Sequence, residues 1–231
     1  MKKVVLLILA GGIILSACNK TEKNQTENTT ISNKEDSMSY ALGVVIANTL
    51  KTDTQHYANL NYDLVVAGMK EMFGSKAKLS PKEANTFLQK YNHEKQMAQM
   101  AALKKANEDF LAQNAKKEGV VSLKSGLQYK VINKGNGIQP DTNDIVVVSY
   151  KGTLIDGTVF DSTAEGKTAE FKLNKIIPGI SQALTKMHEG DEWEVYIPYN
   201  LAYGEYGIPN SPIKPYSTLI FRIKLEKVKK Q

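Results

Sequence analysis

The sequence predicts an α+β protein. A helical domain with a long connecting helix over residues 34–118 precedes an antiparallel β-sheet with one short helix over residues 119–231. Three observations support this prediction. Apolar residues before Gly119 recur at three- and four-residue spacing, which is the period of a helix. No Gly or Pro interrupts the chain between Pro81 and Gly119. After Gly119, apolar and polar residues alternate, which is the period of a strand.

The composition excludes several classes of protein. With 231 residues, 42% of them hydrophobic and 23% charged, the chain is neither disordered throughout nor a protein with many membrane spans. A single cysteine excludes an internal disulfide framework and a cysteine-based zinc cluster. The net charge of +6 is spread evenly over the ranges 1–33, 34–118 and 119–231, whereas a nucleic-acid site needs basic charge gathered on one face. We therefore expect no nucleic-acid partner.

The first 17 residues predict a secretory signal. Two lysines precede an apolar run that spans about 18 Å as a helix, well short of the ~30 Å core of a bilayer. The Leu-Ser-Ala-Cys that follows resembles the lipobox of bacterial lipoproteins, which implies cleavage before Cys18 and acylation of that residue. A plain signal peptide with an incidental cysteine is the alternative. We expect a lipid-anchored envelope protein at the outer membrane, facing the periplasm, with polar residues 18–33 as a flexible tether.

Three helices are predicted after the tether. Apolar residues at helical spacing occupy residues 36–50 and again residues 61–73, where Gly74 stands at the C-terminal cap position. The third helix begins with the clearest signal, because Ser80 is followed by Pro81 and by Glu83 three residues later, which is a capping box. Its later turns carry mainly small and polar residues, as expected of a solvated helix between domains.

The helical domain predicts a homodimer. Its packed part contains about forty residues, fewer than usually fold alone. A second copy would complete the core, although docking of the helices on the second half of the chain is the alternative.

The second half predicts strands, turns and one helix. Strands are expected over residues 127–131, 145–148, 193–197 and 218–227, turns at 135–137 and 156–157, and a short helix over 180–187.

The residues of this half resemble the FKBP-type peptidyl-prolyl cis–trans isomerases. The matching stretches, in order, are SGLQYKVI at 125–132, VVVSYKGTLIDGTVFDS at 146–162, IIPG at 176–179, EGDEWEVYIPYNLAYGEYG at 189–207 and STLIFRIKL at 217–225. The helical half, with SMSYALGVVIANTL at 37–50, resembles the N-terminal dimerisation domain of the macrophage-infectivity-potentiator (Mip) subgroup. The resemblance implies a folding isomerase that acts on proline-containing polypeptides without a cofactor, and macrolide inhibitors as ligands.

The chemistry of such an isomerase defines its site. Rotation about an X–Pro bond meets a barrier of ~18–20 kcal/mol from amide resonance, and no covalent bond is made or broken. The twisted amide is less polar than the planar one, so an apolar pocket with few polar groups at its rim favours the transition state. The resemblance assigns Tyr150, Phe160 and Phe221 to the aromatic walls. It assigns Ile176 and Ile177 to a segment where a backbone amide and an aliphatic wall meet the ligand.

Two polar residues and two departures complete the predicted site. By the same resemblance, Asp161 is the carboxylate near the prolyl carbonyl and Tyr203 is the hydroxyl that binds a ligand carbonyl. Ile180 stands where relatives usually place the indole at the floor of the pocket, and Ile208 where many carry His or a bulky residue. Trp193 belongs to a strand motif and does not replace that indole. We expect both differences from the family pattern to affect the level of isomerase activity and the affinity for macrolide inhibitors.

Other chemistries lack support in the sequence. His56, His93 and His188 lie in separate segments without partners at metal-ligand spacing, so we expect no metal site. The main rival function is a lipid-anchored dimeric holdase chaperone with a weak or inactive pocket. A structural envelope protein with a decayed pocket is a third interpretation, which the retained Tyr150, Asp161 and Tyr203 disfavour.

Overall fold

The computed structural model describes residues 30–53, 57 and 59–231, which form two compact units divided between Phe73 and Gly74. The α+β class is confirmed, because helices precede an antiparallel sheet that carries one short helix. The predicted signal peptide, Cys18, His56 and most of the tether lie outside the described residues. The domain ranges predicted above remain predictions. In the part of the chain that is described, no helix is long and apolar enough to cross a membrane.

The first unit contains two amphipathic helices, α1 (Lys34–Thr52) and α2 (Tyr62–Phe73). The Asn33 side chain caps α1 by accepting a 2.7 Å hydrogen bond from the backbone N–H of Asp36. Neither helix buries a single residue. Their apolar faces instead line a groove of about 520 Å³, formed by Gly43, Ile46, Ala47, Leu50, Lys51, Tyr62, Val65, Val66, Met69, Lys70 and Phe73.

The second unit begins with the long helix α3 (Pro81–Asn114), whose 34 residues span about 51 Å. The predicted capping box is confirmed: Ser80 Oγ accepts from the N–H of Glu83, and Glu83 Oε2 accepts from the N–H of Ser80. The first turns of α3 are exposed. Its last turns carry two buried side chains, Asn107 and Asn114, which contact the sheet.

The sheet of the second unit has seven antiparallel strands: β1 (Val120–Ser122), β2 (Gln128–Asn133), β3 (Ile145–Thr153), β4 (Val159–Ser162), β5 (Ala169–Lys172), β6 (Glu192–Ile197) and β7 (Leu219–Lys229). Their order is β1-β2-β6-β7-β3-β4, and β5 also pairs with β3. The helix α4 (Pro178–Leu184) covers the inner face of the sheet. The core lies between them and includes Leu127, Val146, Val148, Leu184, Met187, Val195, Ile197 and Leu225.

The predicted strands and helix are present with shifted ends. α4 begins two residues earlier than predicted because Pro178 occupies its first turn, and it ends at Leu184. β3 continues five residues past the predicted apolar run, to Thr153. The strands β1, β4 and β5 were not predicted, because they have only three or four residues, too few for an alternating pattern to stand out.

Candidate active site

A pocket of about 290 Å³ opens on the inner face of the sheet, beside α4. Apolar and aromatic side chains form most of its wall. Its lining consists of Val148, Tyr150, Asp161, Phe171, Lys175, Ile176, Ile177, Ile180, Leu184, Tyr203, Phe221 and Ile223. The pocket therefore brings together seven of the nine residues predicted for the site.

Pairing of β3 with β7 places the aromatic walls. Tyr150 lies opposite Ile223 and Gly152 opposite Phe221, so these residues point to the same face of the sheet. The Tyr150 and Phe221 rings are 6.0 Å apart. Gly152 leaves the space that the rings occupy, since a Cβ there would lie 2.7 Å from Phe160 Cζ and 3.0 Å from Phe221 Cε1.

Two predicted site residues do not line the pocket. The Phe160 ring packs edge-on against Phe221, with centroids 5.4 Å apart, and so contacts the wall without being part of the lining. Ile208 packs against the hydrophobic core, and its N–H donates a 2.9 Å hydrogen bond to the Ile213 carbonyl.

Tyr150 and Asp161 form the polar edge of the pocket. The Tyr150 hydroxyl donates a 2.7 Å hydrogen bond to Asp161 Oδ2. Burial, then this hydrogen bond and the negative charge of Asp161, raise the pKa of Tyr150 to about 12. The phenol therefore keeps its proton at neutral pH and directs it to the carboxylate.

The floor of the pocket is aliphatic. A 3₁₀ turn over Leu173–Lys175 leads into Ile176 and Ile177, and α4 then presents Ile180, which is only 8% exposed. Trp193 stacks on Tyr129 at 4.2 Å in the core and does not line the pocket. The lining therefore contains Ile180 and no indole.

Tyr203 approaches the pocket from a loop over residues 199–217, which we call the Tyr203 loop. Its side chain is 39% exposed. Within the described residues its hydroxyl has no hydrogen-bond partner, in contrast to the hydroxyl of Tyr150. Tyr203 is therefore the side-chain hydroxyl that this pocket offers to a ligand carbonyl.

Five residues that line the pocket were not predicted from the sequence. Val148, Leu184 and Ile223 lie in predicted strands and in the predicted helix, but periodicity does not distinguish a residue of the core from one that lines a pocket. Phe171 lies on β5, which was not predicted. Lys175 lies in the 3₁₀ turn and had no motif to mark it.

Few chemically reactive side chains line the pocket, and the charged ones are Asp161 and Lys175. None of its lining residues is Cys, His, Ser or Thr. No cluster of metal-ligating side chains occurs in the residues that the structure describes. The pocket can enclose an apolar ring and hold a carbonyl group at its polar edge.

Comparison of the chain with known proteins identifies its family. The family model for FKBP-type peptidyl-prolyl cis–trans isomerase matches residues 136–226. A second model, for the domain amino terminal to FKBP-type peptidyl-prolyl isomerase, matches residues 35–131. Together they cover most of the chain.

Full-length relatives and a solved structure agree with both matches. The outer membrane protein MIP of Legionella longbeachae is 38% identical, over 96% of this chain and 97% of its own. The peptidyl-prolyl cis-trans isomerase Mip of Coxiella burnetii is 36% identical over the whole of both chains. The crystal structure of FkpA from Escherichia coli superposes with a TM-score of 0.67 and 34% identity, covering 87% of this chain and 99% of that one.

Proposed function

The chain belongs to the FKBP-type peptidyl-prolyl cis–trans isomerases, which act on proline-containing polypeptides, and we propose that the pocket between Tyr150, Tyr203 and Phe221 is where it rotates X–Pro bonds. One observation carries this assignment. The pocket is walled by apolar side chains, yet a carboxylate and a free hydroxyl stand at its edge. A twisted amide needs this combination, because it is less polar than the planar form but still carries a carbonyl.

The apolar walls accept the prolyl ring. Phe221, Ile177 and Ile180 surround the space where a ring of this size fits, and they exclude water from it. Loss of water favours the rotated amide over the planar one, because resonance gives the planar form the larger charge separation. A backbone amide in the segment of Ile176 and Ile177 serves as a second contact to the ligand.

The polar edge holds the ligand carbonyls in place. The Tyr203 hydroxyl donates to a carbonyl of the bound peptide. Asp161 lies beside the carbonyl that precedes the prolyl nitrogen, where its negative charge stabilises the partial positive charge on the carbonyl carbon of the rotated amide. Tyr150 orients the Asp161 carboxylate through their hydrogen bond.

An isomerisation assay with a proline peptide tests this assignment. Tyr203→Phe removes only the free hydroxyl, and Tyr206→Phe is its matched control because Tyr206 lies in the same loop but is 89% exposed. We expect kcat/KM to fall several-fold for Tyr203→Phe and to stay unchanged for Tyr206→Phe. Equal activity of Tyr203→Phe and wild type would place the reaction elsewhere.

The same variants separate isomerisation from holdase activity. Suppression of aggregation of an unfolded client should be equal for wild type and Tyr203→Phe if the pocket serves isomerisation alone. A well-folded wild type without isomerase activity, but with full suppression of aggregation, would favour the holdase interpretation.

We also infer that a second copy of the chain covers the groove of the first unit. α1 and α2 bury no residue, and Phe73, Leu64 and Met38 are 85%, 70% and 68% exposed. A helix pair with so much exposed apolar surface does not fold stably in water without a partner. The chain is thus expected to be a homodimer.

Location in the envelope follows from the N-terminal sequence. The lipobox at Cys18 supports a lipid anchor, and the relative from Legionella longbeachae is named as an outer membrane protein. We infer that the isomerase is anchored to the outer membrane and faces the periplasm, where it assists the folding of secreted clients.

A further inference from the structure

The Tyr203 loop is closed at its base by two tyrosines. The rings of Tyr199 and Tyr216 meet edge-to-face at 5.1 Å. Two backbone hydrogen bonds reinforce this contact: the N–H of Gly204 donates to the Tyr199 carbonyl at 2.8 Å, and the N–H of Tyr216 donates to the Gly204 carbonyl at 3.2 Å. Because Gly204 follows Tyr203 directly, the position of the Tyr203 hydroxyl depends on this closure.

The closure holds one residue in a strained conformation. Tyr216 has a φ of 60°, which is unfavourable for a residue with a bulky side chain. Such a conformation persists only where the surroundings hold it. Contacts with neighbouring segments must therefore hold Tyr216 in this conformation.

The long helix α3 supplies those contacts. Lys104 Nζ lies 5.4 Å from the Tyr216 ring centroid and 6.0 Å from that of Tyr199. The electrostatic interaction with Tyr199, followed by that with Glu108, raises the pKa of Lys104, so the ammonium is charged at neutral pH. A cation over two aromatic faces attracts both rings.

One turn further along α3, a buried amide holds the end of the loop. Asn107 is only 5% exposed, and its Oδ1 accepts a 2.7 Å hydrogen bond from the N–H of Thr218. Its Nδ2 donates to the Leu103 carbonyl at 2.9 Å, which fixes the orientation of the amide on the helix. Thr218 is fully buried and immediately precedes β7. Both ends of the Tyr203 loop are therefore attached to α3.

We propose that Lys104 and Asn107 of α3 are positioning residues of the isomerase site, which hold the base of the Tyr203 loop and so fix the Tyr203 hydroxyl at the pocket. This role rests on the proposed function, since it serves the hydroxyl assigned there to the ligand carbonyl. A hydroxyl that is held in place is more often in position to donate to the ligand carbonyl than a hydroxyl on a mobile loop. The long helix thereby contributes to catalysis as well as connecting two parts of the chain.

Variants of Lys104 test the proposal in the full-length protein. Lys104→Met keeps the alkyl stem and removes the charge, whereas Lys104→Arg keeps a cation over the rings. Lys105→Met is the matched control, because Lys105 is exposed and pairs only with Asp109, at 2.6 Å on the same helix. We expect Lys104→Met to lower kcat/KM on a proline peptide about three- to tenfold. Lys104→Arg should restore most of the activity, and Lys105→Met should match wild type.

Two further readouts separate positioning from general stability. Amide hydrogen exchange at Gly204 and Tyr216 should speed up in Lys104→Met, since their hydrogen bonds close the loop. The melting temperature followed by the single tryptophan, Trp193, should stay within about 2 °C of wild type. Wild-type activity and exchange in Lys104→Met would overturn the proposal, and so would a loss of activity that only follows a lowered melting temperature.

A double variant distinguishes failure of this proposal from failure of the proposed function. If Lys104 acts through Tyr203, Lys104→Met should reduce activity little further in a Tyr203→Phe background. Full additivity of the two losses would contradict the positioning role. If Tyr203→Phe alone does not change kcat/KM, the proposed site is wrong. If amide exchange at Gly204 and Tyr216 is unchanged in Lys104→Met, Lys104 does not hold the loop, whatever the activity of that variant.

Discussion

The Tyr150 hydroxyl donates a 2.7 Å hydrogen bond to Asp161 Oδ2, which joins β3 to β4 at the edge of the pocket. This bond commits the proton of Tyr150 to the carboxylate. It leaves Tyr203, whose hydroxyl has no partner in the described residues, as the donor for a peptide carbonyl. The two tyrosines of the pocket therefore have different roles, and each role has a measurable consequence.

Removal of the Asp161 carboxylate should lower activity without loss of the fold. Asp161 is exposed, so Asp161→Ala leaves no buried cavity, but it removes the charge beside the rotating amide. We expect kcat/KM to fall about tenfold, less than the roughly hundred- to thousandfold loss typical of a buried electrostatic contact, because water screens the exposed Asp161 charge. Glu165→Ala, an exposed acid outside the pocket, is the matched control and should retain full activity. Thermal melts should show both variants folded.

Activity should be independent of pH near neutrality. The pKa of Tyr150 is about 12, mainly because of burial, so its protonation does not change between about pH 6 and 9. We expect a flat profile of kcat/KM over that range. A bell-shaped profile centred near neutrality would mean that an acid–base group takes part in the reaction.

Stability should fall at high pH. The pKa of Tyr150 is raised above its ordinary value of 10, so the proton is held more tightly in the folded chain than in the unfolded chain. The stability that this hydroxyl contributes is complete below pH 10 and is lost as the pH rises toward about 12. Denaturant melts from pH 9 upward should show a shallower fall for Tyr150→Phe than for wild type. Part of the fall should remain, because burial also raises the pKa of Tyr196 to about 12.

Ile180→Trp should strengthen binding of macrolide inhibitors. An aromatic ring buries ~150–250 Å² and offers a flat face, whereas Ile180 presents a smaller and rounder surface to the pocket. We expect the wild type to bind macrolides and the variant to bind them several-fold more tightly, as measured by calorimetry. Ile180→Leu keeps the side-chain volume and is the control. Ile180 is buried, so a lowered melting temperature in Ile180→Trp would show overpacking, and equal affinity in a stable variant would contradict the prediction.

Phe73→Glu should convert a dimer into a monomer. The Phe73 side chain is 85% exposed in the single chain. A charge at this position therefore disturbs packing only if a second copy covers the side chain. Light scattering should give about twice the monomer mass for wild type at micromolar concentration and the monomer mass for the variant. Tyr206→Glu, at an aromatic residue that is 89% exposed in the second unit, should leave the mass unchanged. A monomeric wild type would contradict the prediction that a second copy covers the groove.

Cys18→Ser should release the protein from membranes. The lipobox predicts that the Cys18 thiol carries the lipid, and no helix in the described chain is long and apolar enough to span a bilayer. After cell fractionation, the wild type should stay with the membranes through salt and alkali washes, and the variant should appear in the soluble fraction. Membrane association of the variant that resists both washes would exclude acylation of Cys18 as the anchor.

The helices, the long strands and seven of the twelve residues that line the pocket could be predicted from the sequence. Helical spacing and the capping box at Ser80 locate α1, α2 and α3, because both are local patterns of hydrogen bonding and burial. Separated motifs in the right order assigned Tyr150, Asp161 and Tyr203 to the site, and the structure brings all three to one pocket.

The contacts between residues of the pocket depend on how distant strands pair in the folded chain. The pairing of β3 with β7 sets Gly152 opposite Phe221, and Phe160 of β4 packs edge-on against the Phe221 ring without lining the pocket. Phe171 reaches the pocket from a strand of four residues, too short for a periodic signal.

The contacts between α3 and the Tyr203 loop were equally hidden from the sequence. Lys104 and Asn107 precede Tyr216 and Thr218 by more than a hundred residues, so no local pattern relates them. Periodicity and capping report on neighbours within one or two turns of the chain, whereas register, ring contacts and buried amides depend on segments that meet only when the whole unit has folded.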